Sequence, residues 1–222
     1  MECLNFEGLQ YLVRYPAGYE KGNRYPVILF LHGAGTRGND IGVLEQNAFF
    51  VVTDEHAEFP FISVAPHCAS GTWFDCFERL QAFVRMIADA AFTDRDRLYL
   101  VGNSMGGYGA WQLAMSMPTY FAAVVPICGG GMYWNTGTLT ELPIWAFHGE
   151  DDHVVFAEES KKMVNGVNQK GGHARLTIYP DTKHNAWTPT YRNYEVFRWL
   201  LSQHRCATAG QGEDFADEKR FG

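Results

Sequence analysis

A chain of 222 residues with 46% hydrophobic and 19% charged residues is long enough to bury a full core in one domain, and it has the composition of neither a disordered chain nor a coiled coil. Its formal charge of -7 disfavours a nucleic acid as partner, because a phosphate backbone is met by a basic face. Five cysteines without regular spacing, Cys3, Cys68, Cys76, Cys128 and Cys206, argue against a disulfide framework and for a reducing compartment.

The start, MECLNFEGLQ, lacks the basic-then-apolar pattern of a secretory leader, and no window approaches the roughly 18 consecutive apolar residues of a membrane span. A cytoplasmic location away from membranes is the expectation. Gly8 to Tyr15 alternates loosely before Pro16 and reads as an edge strand. Pro26 to Leu31 is apolar at every position, the signature of a parallel strand covered on both faces. It runs into His32-Gly33-Ala34-Gly35-Thr36-Arg37-Gly38, a glycine-rich loop at the carboxyl end of a strand, where open α/β sheets place their ligands.

Phe61 to Pro66 reads as the next strand, and Phe77, Leu80, Val84, Ile87 and Ala91 mark one face of a helix. The strand Leu98 to Val101 leads into Gly102-Asn103-Ser104-Met105-Gly106, a GxSxG pattern, and Ala110, Trp111, Leu113, Ala114 and Met117 continue with helical spacing until Pro118. Phe121 to Ile127 is a further strand opening into Cys128 and three glycines. Pro143 to Phe147 then leads to His148-Gly149-Glu150-Asp151-Asp152. A helix over about Phe156 to Lys170, a strand from Ala174 to Tyr179 and a helix from Asn193 to Gln203 complete the alternation. Residues 1–206 form one domain in this reading, and 207–222, polar and glycine-containing, are expected to fray.

Strands alternating with helices predict an α/β fold with a mainly parallel, twisted sheet and helices on both faces. The loops at Gly33, Ser104, Gly129, Asp152 and His184 would then meet on one edge. A serine hydroxyl there needs a base to take its proton, and His184, in the loop after the last strand, is the candidate, with His32, His148 and His153 read as structural loop residues. The imidazole in turn needs a carboxylate. Asp152 is the choice, with Asp151 and Glu150 as competitors. The order Ser104, Asp152, His184 matches an α/β-hydrolase arrangement and neither chymotrypsin-like nor subtilisin-like proteases. Backbone N–H groups of Met105, at the start of a helix, and of Ala34, in the glycine loop, are the candidate oxyanion donors.

The segments FLHGAGTRGND, DRDRLYLVGNSMGGYGAWQLA, VPICGGG, PIWAFHGEDDHVV and YPDTKHNAW together resemble the α/β-hydrolase superfamily. Within it the chain is similar to the compact esterase and predicted-peptidase group that includes dienelactone-hydrolase, phospholipase/carboxylesterase and feruloyl-esterase-like proteins. The resemblance implies an α/β-hydrolase fold with no large lid domain, Ser104 as nucleophile, Asp152 as acid, His184 as base, and an open, shallow site. A serine esterase for short-chain or aromatic acyl groups is the leading expectation. A peptidase of the same fold and a binding protein without catalysis are the alternatives. Trp73, Trp134 and Trp187, with Phe74 and Tyr133, are candidate pocket walls, and Arg37 a candidate carboxylate binder. No metal-ligand spacing stands out, so no cofactor is expected. A small-molecule ester is the expected partner, and a homodimer the only assembly entertained.

Overall fold

The all-apolar run at residues 26–31 is explained by its two neighbours: Val27, Leu29 and Leu31 enter one buried cluster and Ile28 and Phe30 the other. This strand lies near the middle of an eight-stranded sheet in the computed structural model, which describes residues 1–205. The strands are β1 (Glu2–Phe6), β2 (Leu9–Arg14), β3 (Tyr25–Leu31), β4 (Ile62–Pro66), β5 (Thr93–Asn103), β6 (Ala123–Ile127), β7 (Trp145–Gly149) and β8 (Arg175–Tyr179). Their spatial order is β1-β2-β4-β3-β5-β6-β7-β8. Pairings β1/β2 and β2/β4 are antiparallel, and all others are parallel. The 207–222 stretch lies outside the described residues.

The helices are α1 (Ala48–Thr53), α2 (Phe77–Asp89), α3 (Met105–Ser116), α4 (Glu158–Gln169), α5 (Trp187–Arg192) and α6 (Tyr194–Ser202). One face of the sheet is covered by Leu80, Phe83 and Val84 of α2, Trp111 and Leu113 of α3, and Met163 and Val167 of α4. The other is covered by Phe49 and Phe50 of α1, Tyr191 of α5 and Phe197 of α6. The chain is therefore an α/β sandwich of three layers whose strand ends converge on one edge. The longest stretch between consecutive strands, residues 32–61, carries only α1 and two short 3-10 turns, which leaves no separate cap over that edge among the described residues. None of the helices described is long and apolar enough to cross a membrane.

One difference from the sequence reading concerns the start. The edge strand is β1, and Gly8 to Tyr15 supplies the second strand, joined to it by a tight hairpin with Glu7 at φ 50° and Gly8 at φ 83°. Glu2, Cys3, Leu4 and Asn5 are all exposed, so no alternation of apolar residues marks β1. Helices α1 and α5 were also absent from that reading. Six residues are too few for periodicity to show, and the β-branched end of AFFVVT resembles a strand.

The close approach of α3 to β3 depends on glycine. A Cβ on Gly106 would lie 1.9 Å from the Leu31 carbonyl oxygen, and one on Gly102 would lie 2.2 Å from the Gly106 carbonyl oxygen. Gly106→Ala is expected to cost about 3 kcal/mol or more, since backbone must move on both sides. Gly35→Ala, with nothing within 4 Å of the added methyl, should change stability by less than about 0.5 kcal/mol. Urea unfolding of the two variants checks the contrast, and equal midpoints would contradict it.

Candidate active site

Strand β5 ends at Asn103 and α3 begins at Met105, so Ser104 occupies the single residue between them, at φ 54° and ψ -119°. Such a backbone is disfavoured for a residue with a side chain by about 1–3 kcal/mol, and it is held by the packing on both sides. Ser104 N–H donates to the Ile127 carbonyl at 2.9 Å, and its own carbonyl accepts from Tyr108 N–H at 3.1 Å. Ser104 stays partly exposed at the carboxyl edge of the sheet.

His184, in the turn after β8, places Nε2 2.8 Å from Ser104 Oγ and Nδ1 2.7 Å from Asp152 Oδ2. The serine hydroxyl donates to Nε2 and Nδ1–H donates to the carboxylate, which is the tautomer a base needs. Asp152 is buried after β7, and its Oδ1 accepts the N–H groups of Val154 and Val155 at 2.9 and 3.0 Å. Burial pushes this carboxyl up, yet the hydrogen bonds from His184, Val155 and Val154 outweigh it and hold Asp152 below the usual carboxylate value. The competitors Asp151 and Glu150 are both exposed, and Asp151 N–H is spent on the Thr182 carbonyl.

The loop after β3 lies against the serine. A Cβ on Gly33 would sit 3.4 Å from Ser104 Cβ, and a 3-10 turn starts at Ala34. Ala34 N–H and Met105 N–H, each opening a helical turn, donate to no backbone or side-chain acceptor among the described residues. Arg37, read in the sequence as a carboxylate binder, instead ties this loop down: Nε donates to the Ala34 carbonyl at 2.9 Å and one Nη to the Gly71 carbonyl at 3.1 Å.

His32, the first loop residue after β3, is fully buried. Its Nε2 accepts Cys68 N–H at 3.0 Å, and its Nδ1–H donates to the Gly33 carbonyl at 2.8 Å. Burial pushes His32 down to about 4, against the opposing pull of the Gly33 carbonyl. An unfolded chain therefore takes up this proton near pH 6.5 and the folded one only near 4. The stabilising contribution is complete above pH 6.5, is lost as pH falls from 6.5 towards 4, and amounts to about 3 kcal/mol. His32→Gln should flatten that part of the stability curve, measured by urea unfolding at pH 7.0 and 4.5; an unchanged slope would contradict the assignment.

The tryptophans separate. Trp187, at the start of α5, stands edge-on to the His184 ring with centroids 5.3 Å apart. Trp73 has no exposed surface, and its Nε1 donates to the His32 carbonyl at 3.0 Å. It props the Ala34 loop from beneath, because a buried indole N–H needs an acceptor, and it is no pocket wall. Trp134 is exposed, but its carbonyl accepts from Lys170 Nζ beyond the far end of α4, so it is not brought together with the triad. Phe74 and Tyr133 are also exposed, and Tyr133 stands edge-on to Trp134 with centroids 5.3 Å apart.

Two neighbours of the site carried no signal in the sequence. Tyr108, one turn into α3, lies beside the Gly130 backbone and Glu159, and burial raises its phenol. Cys128 follows β6 at φ 39° with its side chain buried, and burial pushes its thiol up, so it stays neutral. Cys128, Asp152 and His184 each offer a ligand atom within 4.8 Å of the others. However, the 2.7 Å between Nδ1 and Oδ2 is the spacing of a shared proton. The arrangement is suited to moving a proton off a hydroxyl and stabilising an oxyanion beside it.

Comparison with known proteins is consistent with this geometry. Residues 72–203 match the Dienelactone hydrolase family. A probable feruloyl esterase C of Aspergillus terreus is 26% identical over 172 residues, which are 76% of this chain and 64% of that protein. Dipeptidyl-peptidase 5 of Porphyromonas gingivalis is 21% identical over 83% of this chain and 35% of its own length. The crystal structure of a thermostable esterase superposes with a TM-score of 0.76 at 32% identity, covering 89% of this chain and 60% of that one. This chain thus spans under two thirds of each of these relatives.

Proposed function

The chain belongs to the dienelactone hydrolase family, and from that premise we propose that it is a serine carboxylic ester hydrolase working through an acyl-enzyme. The observation that carries the reading is the continuous chain of contacts from Ser104 Oγ to His184 Nε2 and from His184 Nδ1 to Asp152 Oδ2, at 2.8 and 2.7 Å, at a partly exposed serine. As Oγ attacks an ester carbonyl, its proton passes to Nε2, and the imidazolium so formed is stabilised by the ionised Asp152. The charge developing on the carbonyl oxygen is met by the Ala34 and Met105 N–H groups, reinforced by the α3 dipole. His184 then returns the proton to the leaving alkoxide, and a water molecule activated by the same nitrogen releases the acid.

Short or aromatic acyl groups are the proposed substrates. The feruloyl esterases among the relatives and the Trp187 ring beside His184 support this, and the uncapped edge supports a small, open site. The test is a comparison of kcat/KM across acetyl, butyryl, octanoyl and feruloyl esters and a dipeptidyl anilide. Highest values on the short or feruloyl esters are expected. A dipeptidyl anilide cleaved faster than every ester would replace this reading with the peptidase one, which the similarity to the dipeptidyl-peptidase keeps in view.

A further inference from the structure

Strand β7 delivers Asp152 to the site, and it also holds a second imidazole that the reaction above does not use. His148 is fully buried four residues before the acid. Its Nδ1 lies 2.7 Å from Ser160 Oγ, and its Nε2 lies 2.8 Å from the Val155 carbonyl and 3.2 Å from Asp152 Oδ2. Ser160, on α4, is itself 3.0 Å from the Gly129 carbonyl.

Counting protons fixes the roles in this cluster. A carbonyl and a carboxylate have no hydrogen to give, so Nε2 must carry one. Burial pushes His148 down, and a neutral ring carries no second proton. Nδ1 is then a lone pair facing Ser160 Oγ, whose one hydrogen has two acceptors in reach, Nδ1 at 2.7 Å and the Gly129 carbonyl at 3.0 Å. The Nε2–H sits against both ends of one turn: the carboxylate of residue 152 and the carbonyl of residue 155. The other carboxylate oxygen takes the amides of Val154 and Val155 from within that turn. Four N–H groups therefore surround Asp152, two of them imidazole and two of them amide. The ionisable groups facing His148 are Asp152 and, across that carboxylate, His184, with Glu158 at the start of α4 nearby.

We propose that His148 is a positioning residue for the reaction: its Nε2–H clamps the 152–155 turn shut, which aims Asp152 Oδ2 at His184 Nδ1. It touches neither substrate nor the reacting atoms, and its kinetic consequence rests on the esterase reading. The clamp itself does not.

Two variants test it. His148→Met keeps the bulk and removes the donor, whereas His148→Gln keeps an N–H near the Nε2 position. The Met variant is expected to lower kcat about tenfold or more with KM unchanged, and Gln to recover most of that loss. The low-field proton resonance of the His184–Asp152 hydrogen bond should shift or vanish in Met and persist in Gln, and the acid limb of the kcat–pH profile should move in Met alone. Wild-type kcat and an unmoved resonance in the Met variant would overturn the proposal, as would equal impairment by both substitutions. If the Met variant does not fold, Ser160→Ala, which frees Nδ1 from its anchor, should move the resonance in the same direction, and an unmoved resonance there overturns it too. Because the resonance is read without substrate, it decides the clamp even if the wild-type protein hydrolyses no ester.

Discussion

Ser104→Ala is expected to lower kcat/KM for a short nitrophenyl ester by at least about 10⁴-fold while shifting the unfolding free energy by less than about 0.5 kcal/mol. The loss is large because the 2.8 Å contact with His184 Nε2 gives the base one hydroxyl to activate. The neighbouring thiol cannot substitute for it, since Cys128 is buried and neutral. What survives should be the modest catalysis of two amide donors acting on a bound ester. Stability barely changes because alanine inherits the same backbone at φ 54°. Ser104→Gly removes the hydroxyl and the strain together, so it should be equally inactive but unfold at higher denaturant than Ser104→Ala. Kinetics, a fluorophosphonate label and a urea titration of the two variants read all of this. Turnover within tenfold of wild type by either one would sink the acyl-enzyme mechanism.

The parts of this site that were legible in the sequence are those whose chemistry is local. A strained residue between two close-packed backbones requires glycines two positions away on either side, so Gly102 and Gly106 mark Ser104 from within five residues. The sheet was legible for a similar reason: strands buried on both faces, such as Pro26 to Leu31 and Phe121 to Ile127, are apolar throughout. What the sequence left open depends on contacts between distant segments. Trp73 reads as a pocket wall until its Nε1 is seen beneath the carbonyl of His32, and Arg37 reads as a carboxylate binder until Gly71 is seen beside it. His148 and the amides of Val154 and Val155 belong to the same class, because only the folded turn gathers them around one carboxylate. Strand β1 was missed for the opposite reason, since an exposed edge strand imposes no apolar pattern on its residues.

Asp152→Asn should be nearly as damaging as loss of the nucleophile, and the hydrogen bonds around the carboxylate say why. Oδ1 faces two backbone N–H groups at 2.9 and 3.0 Å, so an asparagine must keep its carbonyl oxygen there. Its NH₂ then occupies the Oδ2 position, pointing at His184 Nδ1 and His148 Nε2. Two donors cannot face one another at 2.7 Å, so His184 gives up the Nδ1 proton, accepts from the new amide, and carries its hydrogen on Nε2 instead. That nitrogen now donates towards Ser104 Oγ and can no longer take its proton. The expected fall in kcat is about 10⁴-fold, the cost of holding the catalytic imidazole in the wrong tautomer. Asp152→Ala is the informative partner, because it leaves His184 free to sample the productive tautomer. Asn should therefore be at least as slow as Ala although it is the closer replacement in shape. Both variants should still fold at neutral pH, which thermal unfolding checks. An Asn variant within about tenfold of wild type would show that the orientation of the imidazole proton does not limit the reaction.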